Sequence, residues 1–243
     1  MRNGDPGQKK LKDLLKKIGA VPPPALPESD DPLAVLILSF LTWESTTAKA
    51  VAAFKRIREG VVDFNDLRVC LSDETQEIIG PRYPRGLERC QRLRAVLRNI
   101  YQREHAVTLD RLNTLSKRDI RRYLLSLEGI VPYVVGRVML LCYDAHGIPV
   151  DDQLRDALIE YGAADSSGDI DDLSSWLARQ IKAGDGAAAH YALQAWIDGG
   201  AGKGEGATRS ASGRRAAAAS RKTSGSKPAT KRTASAAVNK APS

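Results

Sequence analysis

The stretch Ser126-Leu127-Glu128-Gly129-Ile130-Val131-Pro132-Tyr133-Val134-Val135-Gly136-Arg137-Val138 decides how this chain is read. A helical pattern over residues 117–126 leads into it, Gly129 marks a tight turn, and a second helix starts near Pro132. Glycine suits such a turn because it reaches positive φ and permits close backbone approach. Two helices joined this way form a helix-hairpin-helix. The free N–H groups at the start of the second helix can hold a phosphate, which makes Gly129, Ile130, Val131 and Tyr133 candidate contacts. Arg118, Arg121 and Arg122, just before the hairpin, are placed to reinforce them.

Outward from the hairpin, the spacing of apolar residues predicts helices near 32–42, 45–58, 63–70, 73–79, 85–104, 109–114, 117–126, 132–145, 152–161, 170–182 and 187–197. Asp30-Asp31-Pro32 is a good helix start, an acidic cap before proline at the first helical position. Ser72 with Glu74, Ser116 and Asp169 mark further starts. No stretch shows sustained period-two alternation, so the expected class is all-α. Leu11, Leu14, Leu15 and Ile18 share one face of a basic helix over 9–18, read as docked on the body with solvated lysines. Pro22-Pro23-Pro24 and Pro27 then form a stiff connector. The domain reading is 1–29 as basic segment and connector, 30–199 as helical domain, and 200–243 as tail.

Charge separates the last two parts. Of 37 basic and 29 acidic residues, ten basic ones and a single acidic one, Glu205, fall in 200–243. The tail thus carries +9 of a net +8, and the remainder is near neutral at −1. Val238 is its only larger aliphatic residue. A segment of Ala, Ser, Thr, Gly, Lys and Arg buries too little apolar surface to offset the entropy of ordering, so it is expected to be disordered. Its composition resembles linker-histone tails and the arms of some bacterial nucleoid proteins. Lys222, Lys231 and Arg232 then act as phosphate-binding charges that read no sequence.

Cys70, Cys90 and Cys142 are dispersed, which argues against a disulfide framework or zinc site and for free thiols in a reducing compartment. The most apolar run, Leu33 to Trp43, is about half of the roughly 20 residues a spanning helix needs. No apolar h-region follows Met1, so no secretory signal is expected. His105, His146 and His190 are isolated and read as surface or loop residues, and Trp43, Trp176 and Trp196 as core anchors. On the helix with Arg89, Arg92, Arg94, Arg98 and Arg103, a solvated face is the first reading and a phosphate surface the second.

About one helix beyond the hairpin comes Gly147-Ile148-Pro149-Val150-Asp151-Asp152-Gln153-Leu154-Arg155. Together the two segments resemble the endonuclease III-like (HhH-GPD) superfamily of DNA base-excision glycosylases, over about residues 32–198. That family has a Leu-Pro-Gly-Val-Gly-x-Lys-Thr-Ala hairpin followed by Pro-x-x-Val-Asp-Thr-His-Val-x-Arg. Leu127, Gly129 and Ile130 match the first; Val150, Asp151 and Leu154 match the second. The resemblance implies a two-lobed helical bundle, duplex DNA as partner and a flipped base. It implies Asp151 as the carboxylate that stabilises positive charge on the sugar or activates water. The competing reading is that Asp151 only caps a helix.

The departures narrow the expectation. Tyr133 stands where lyase members carry lysine, so no Schiff base is expected. Val131 replaces a hairpin glycine, and Pro132 lacks an N–H. Leu41 replaces the glutamine that fills the gap left by a flipped base; it is either an apolar wedge or core. Gln153 replaces the histidine after the aspartate. The four-cysteine iron–sulfur loop is missing, so no cofactor or metal is expected. Arg82, Tyr83 and Arg85 match a DNA-facing loop, or else form a solvated turn. Three functions compete: a monofunctional DNA glycosylase, a non-catalytic DNA-binding member of the fold, and a helical interaction module tethered to nucleic acid by its tail. The expected protein is a monomer, cytoplasmic and nucleoid-associated, with no membrane partner.

Overall fold

The computed structural model describes residues 5–24, 31–166 and 168–201. The expected tail, with Lys222, Lys231 and Arg232, lies outside the described residues. Among the described residues every regular element is helical. No helix among them is long and apolar enough to cross a membrane.

The organising element is α2 (Pro32–Thr42), in which every residue is buried. Asp31 starts it, accepting from the Leu33 N–H at 2.8 Å with Pro32 at the first position. On it pack α3 (Thr47–Gly60), α6 (Gly86–Glu104) and α8 (Pro132–Tyr143), and on these in turn α4 (Phe64–Val69), α5 (Ser72–Ile79) and α7 (Lys117–Leu125). Leu36, Ile37, Phe40, Val96, Leu97, Val134 and Val138 fill this first core. Each such side chain contributes about 1.5–3 kcal/mol by leaving water.

A second core forms between α1 (Asp5–Ile18), α9 (Asp152–Tyr161), α10 (Ile170–Gln180) and α11 (Gly186–Asp198). Leu11 and Leu14 are buried there beside Leu158, Leu173, Trp176 and Leu193, while Lys9, Lys10, Lys12, Lys16 and Lys17 are exposed. The fold is thus two-lobed. α1 belongs to the second lobe, α2 to α8 to the first, and α9 to α11 to the second again.

The lobes meet through polar side chains of α11. Tyr133 on α8 donates to Gln194 Oε1 at 3.3 Å, and Gln194 Nε2 donates to Ser45 O at 3.4 Å and Asp198 Oδ1 at 3.0 Å. Asp198 Oδ2 accepts from the Thr47 N–H at 3.0 Å, satisfying an orphan donor at the start of α3. Arg137 donates to Ser39 Oγ at 3.0 Å and to His190 Nε2 at 3.3 Å.

The helical pattern is recovered, with three differences. The segment near 109–114 is a 3-10 turn, Asp110–Thr114, rather than an α-helix. The first helix begins at Asp5 rather than Lys9. Ser72 is the first residue of α5 and not its cap; Glu74 reaches back to the Leu71 N–H at 2.8 Å. Ser116 and Asp169 cap α7 and α10 as expected.

Candidate active site

Asp151 sits at the seam between the lobes, 6 % exposed, as the N-cap of α9. Its Oδ1 accepts from the Leu154 N–H at 2.9 Å and its Oδ2 from the Glu44 N–H at 2.9 Å. The first bond is an ordinary cap; the second crosses from one lobe to the other. Burial pushes its pKa up, and the Leu154 and Glu44 amides oppose that by bonding the charged form.

The Glu44 amide is itself held in place. It follows the end of α2, where orphan carbonyls need donors. Arg89, buried on α6, donates to Phe40 O, to Trp43 O at 2.6 Å and to Pro84 O at 3.0 Å. Tyr83 donates its hydroxyl to Leu41 O at 2.7 Å. The Arg89 guanidinium also lies 5.5 Å from the Trp43 ring centroid and 5.1 Å from that of Tyr83. Burial lowers the Arg89 pKa, but it keeps the charge, which suits the negative end of α2.

Two strained residues face each other here. Glu44 and Arg85 both have φ of 48°, in the left-handed region that costs a non-glycine residue about 1–3 kcal/mol. Arg85 Nε lies 2.6 Å from Glu44 Oε2. Burial raises the Glu44 pKa; Arg85 opposes this, and the Asp152 and Asp151 carboxylates add to it. Such strain persists only where surrounding contacts over-determine it, and it clusters at functional sites.

These groups border a cavity of about 410 Å³. Trp43, Val131 and Tyr133 form apolar walls, Asp151 lies at one side, and Asp152, Asp169, Asp171, Arg85 and Arg155 supply charge. The size suits one small ligand group. Tyr133 is buried and its hydroxyl is bonded to Gln194. Burial raises its pKa, so it stays a phenol.

The hairpin comprises α7, a turn at Gly129 and α8. Gly129 has φ of +82°, and a Cβ there would stand 2.9 Å from Arg92 O. No other residue fits without displacing α6. Ile130 is half-buried and Val131 buried. The Tyr133 and Val134 N–H groups open the first turn of α8, where intrahelical acceptors are lacking. Arg118, Arg121 and Arg122 are exposed, Arg122 paired with Asp119 at 2.7 Å.

Several expected surface residues are interior. Leu41 is 1 % exposed and Tyr83 8 %, so neither presents a surface to DNA: Leu41 fills the first core and Tyr83 satisfies its carbonyl. Arg82 is exposed on the same loop. Arg89 is wholly buried rather than part of a solvated face. His190 is no surface residue but a buried acceptor for Arg137; burial and that guanidinium push its pKa down to about 3. Sequence reasoning passed over Glu44, Arg137, Gln194 and Asp198, whose partners are remote in the chain and leave no local signal.

No family model and no curated protein sequence matches the chain. Solved structures do. Endonuclease III in a trapped covalent complex with DNA superposes with a TM-score of 0.60 at 14 % identity, over 77 % of this chain and 82 % of that one. A thermostable thymine-DNA glycosylase gives 0.56 at 16 % identity, over 79 % and 86 %. The H. pylori 3-methyladenine DNA glycosylase MagIII, bound to 1,N6-ethenoadenine, gives 0.55 at 16 % identity, over 76 % and 93 %. The chain therefore has the helix-hairpin-helix DNA glycosylase fold.

Proposed function

We propose that this protein binds duplex DNA and hydrolyses the N-glycosidic bond of an everted nucleotide, without lyase chemistry. The observation that carries this is Asp151: a buried carboxylate, held by amides from both lobes, beside a cavity of about 410 Å³ and next to the hairpin. As the base departs, positive charge grows on the sugar. A fixed carboxylate in a low-dielectric seam stabilises that charge, or takes a proton from the attacking water. Trp43 offers an aromatic face to the base. Tyr133 has no amine, so no covalent imine forms and the product is an intact abasic site.

The hairpin amides of Gly129, Val131 and Tyr133 grip one phosphate, with Arg118, Arg121, Arg122 and Arg82 adding charge around it. The Ile130 N–H is held by Leu127 O at 3.3 Å and shapes the turn. The tail, through residues such as Lys222, Lys231 and Arg232, raises the local concentration of DNA. Its binding weakens steeply with salt.

The test is base release. Full-length protein is incubated with labelled duplexes carrying uracil, alkylated bases, oxidised bases or mismatches, then treated with hot alkali to cut abasic sites. Alkali-dependent cleavage that disappears in Asp151→Asn supports the proposal. Undiminished cleavage by Asp151→Asn removes Asp151 from the chemistry. A second reading, a non-catalytic DNA-binding member of the fold, draws on Val131 and Pro132, which alter the hairpin clamp. It predicts binding to distorted duplex with no base released from any substrate.

A further inference from the structure

One turn along α8 from Tyr133 lies a charge that the proposed chemistry does not use. Arg137 is 3 % exposed. Its guanidinium bonds are to two neutral groups, the Ser39 hydroxyl at 3.0 Å and the unprotonated His190 imidazole at 3.3 Å. It forms no ion pair with any described carboxylate. A buried cation with no anion is costly, because neither partner replaces the solvation that a full charge loses.

Arg137 also lines a second cavity, of about 440 Å³, which shares no lining residue with the one at Asp151. Its walls include Pro24, Val35, Leu38, Leu140 and Tyr191. The arrangement is an apolar chamber with one buried positive group, the usual layout of a small-ligand site. Asp144, exposed at its border, disfavours a dianion.

We propose that this cavity binds a small amphiphilic monocarboxylate, its carboxylate on Arg137 and its hydrocarbon part against Val35, Leu38 and Leu140. A guanidinium edge matches a carboxylate with two parallel hydrogen bonds, and the pairing supplies the counter-charge that the protein's own groups do not. The ligand would lie behind the DNA-facing side of α8. The inference is independent of whether the Asp151 cavity releases bases.

The probe is octanoate, titrated calorimetrically into the full-length protein, with octanol as the uncharged control. Saturable one-to-one binding is expected, at least tenfold tighter for octanoate than for octanol. Arg137→Met should abolish that preference. Ala187→Trp, which fills the cavity from a half-buried position and leaves Arg137 in place, should abolish binding of both while the circular dichroism spectrum is unchanged. Absence of saturable binding overturns the proposal. So does equal affinity for the two probes, or octanoate binding that survives Ala187→Trp.

Discussion

Arg89 and Arg137 are both buried arginines without a carboxylate, yet their surroundings differ in kind. Arg89 is enclosed by backbone carbonyls at the negative end of α2 and by the rings of Trp43 and Tyr83. Fixed dipoles there take the role of a counter-ion. Arg137 meets a hydroxyl and a neutral imidazole, and beside it is a cavity rather than packed atoms. Burial alone therefore says little about what a charged residue does. The acceptors around it decide: Arg89 fixes the strand of chain that carries the Glu44 amide, and Arg137 is left to interact further.

The largest expected effect tests the first half of that contrast. Arg89→Met leaves the Phe40, Trp43 and Pro84 carbonyls without their donor, and should cost about 3–5 kcal/mol in urea unfolding. Arg137→Met should cost about 1 kcal/mol or less, since its partners are weaker acceptors. Equal losses would break the distinction. Tyr133→Phe removes one neutral hydrogen bond across the seam and should cost about 1 kcal/mol. Base release, where present, should change little, because the hydroxyl's bond is to Gln194.

Two pH measurements sharpen the picture with smaller effects. His190 has its folded pKa pushed down to about 3, below the ordinary 6.5. The unfolded chain therefore binds a proton first as pH falls, so this contribution is whole above pH 6.5 and is lost on descent toward pH 3. His190→Gln should flatten the decline of Tm over that window; an unchanged slope would show that His190 is not what titrates. Asp151 is raised by burial, with Asp152 adding to the rise. Base release needs the carboxylate, so its acid limb should lie above the ordinary carboxylate range. Asp152→Asn should move that limb toward lower pH, read from a pH–rate profile.

Much of the fold was legible because it is set locally. The apolar run that begins at Leu33 reads as a buried helix because Asp31-Pro32 before it is a helix start. Gly129 declared a turn, and Asp151 a cap, by residue type and position alone. The site was legible only where it shares those local rules. Arg89 sits among Arg92, Arg94, Arg98 and Arg103, and nothing in that run marks which arginine turns inward. Two of its acceptors, Phe40 O and Trp43 O, are supplied by the end of α2, 49 and 46 positions away. For Leu41 the sequence leaves wedge and core both open, and for Tyr83 a DNA-facing loop or a solvated turn; packing at the end of α2 claims both. His190 looked isolated because its partner, Arg137, is 53 positions earlier.

The path of the chain through its two cores has a consequence for local opening. The first lobe, from α2 to α8, is continuous in sequence and holds a core of its own. The second lobe is discontinuous: Leu11 and Leu14 on α1 pack against α9, α10 and α11, with the whole first lobe between them in sequence. Closing so long a loop costs entropy, so the second lobe is expected to open as a cooperative unit of its own. Asp151 and the Glu44 amide belong to different lobes, so such an opening parts the carboxylate from its second donor.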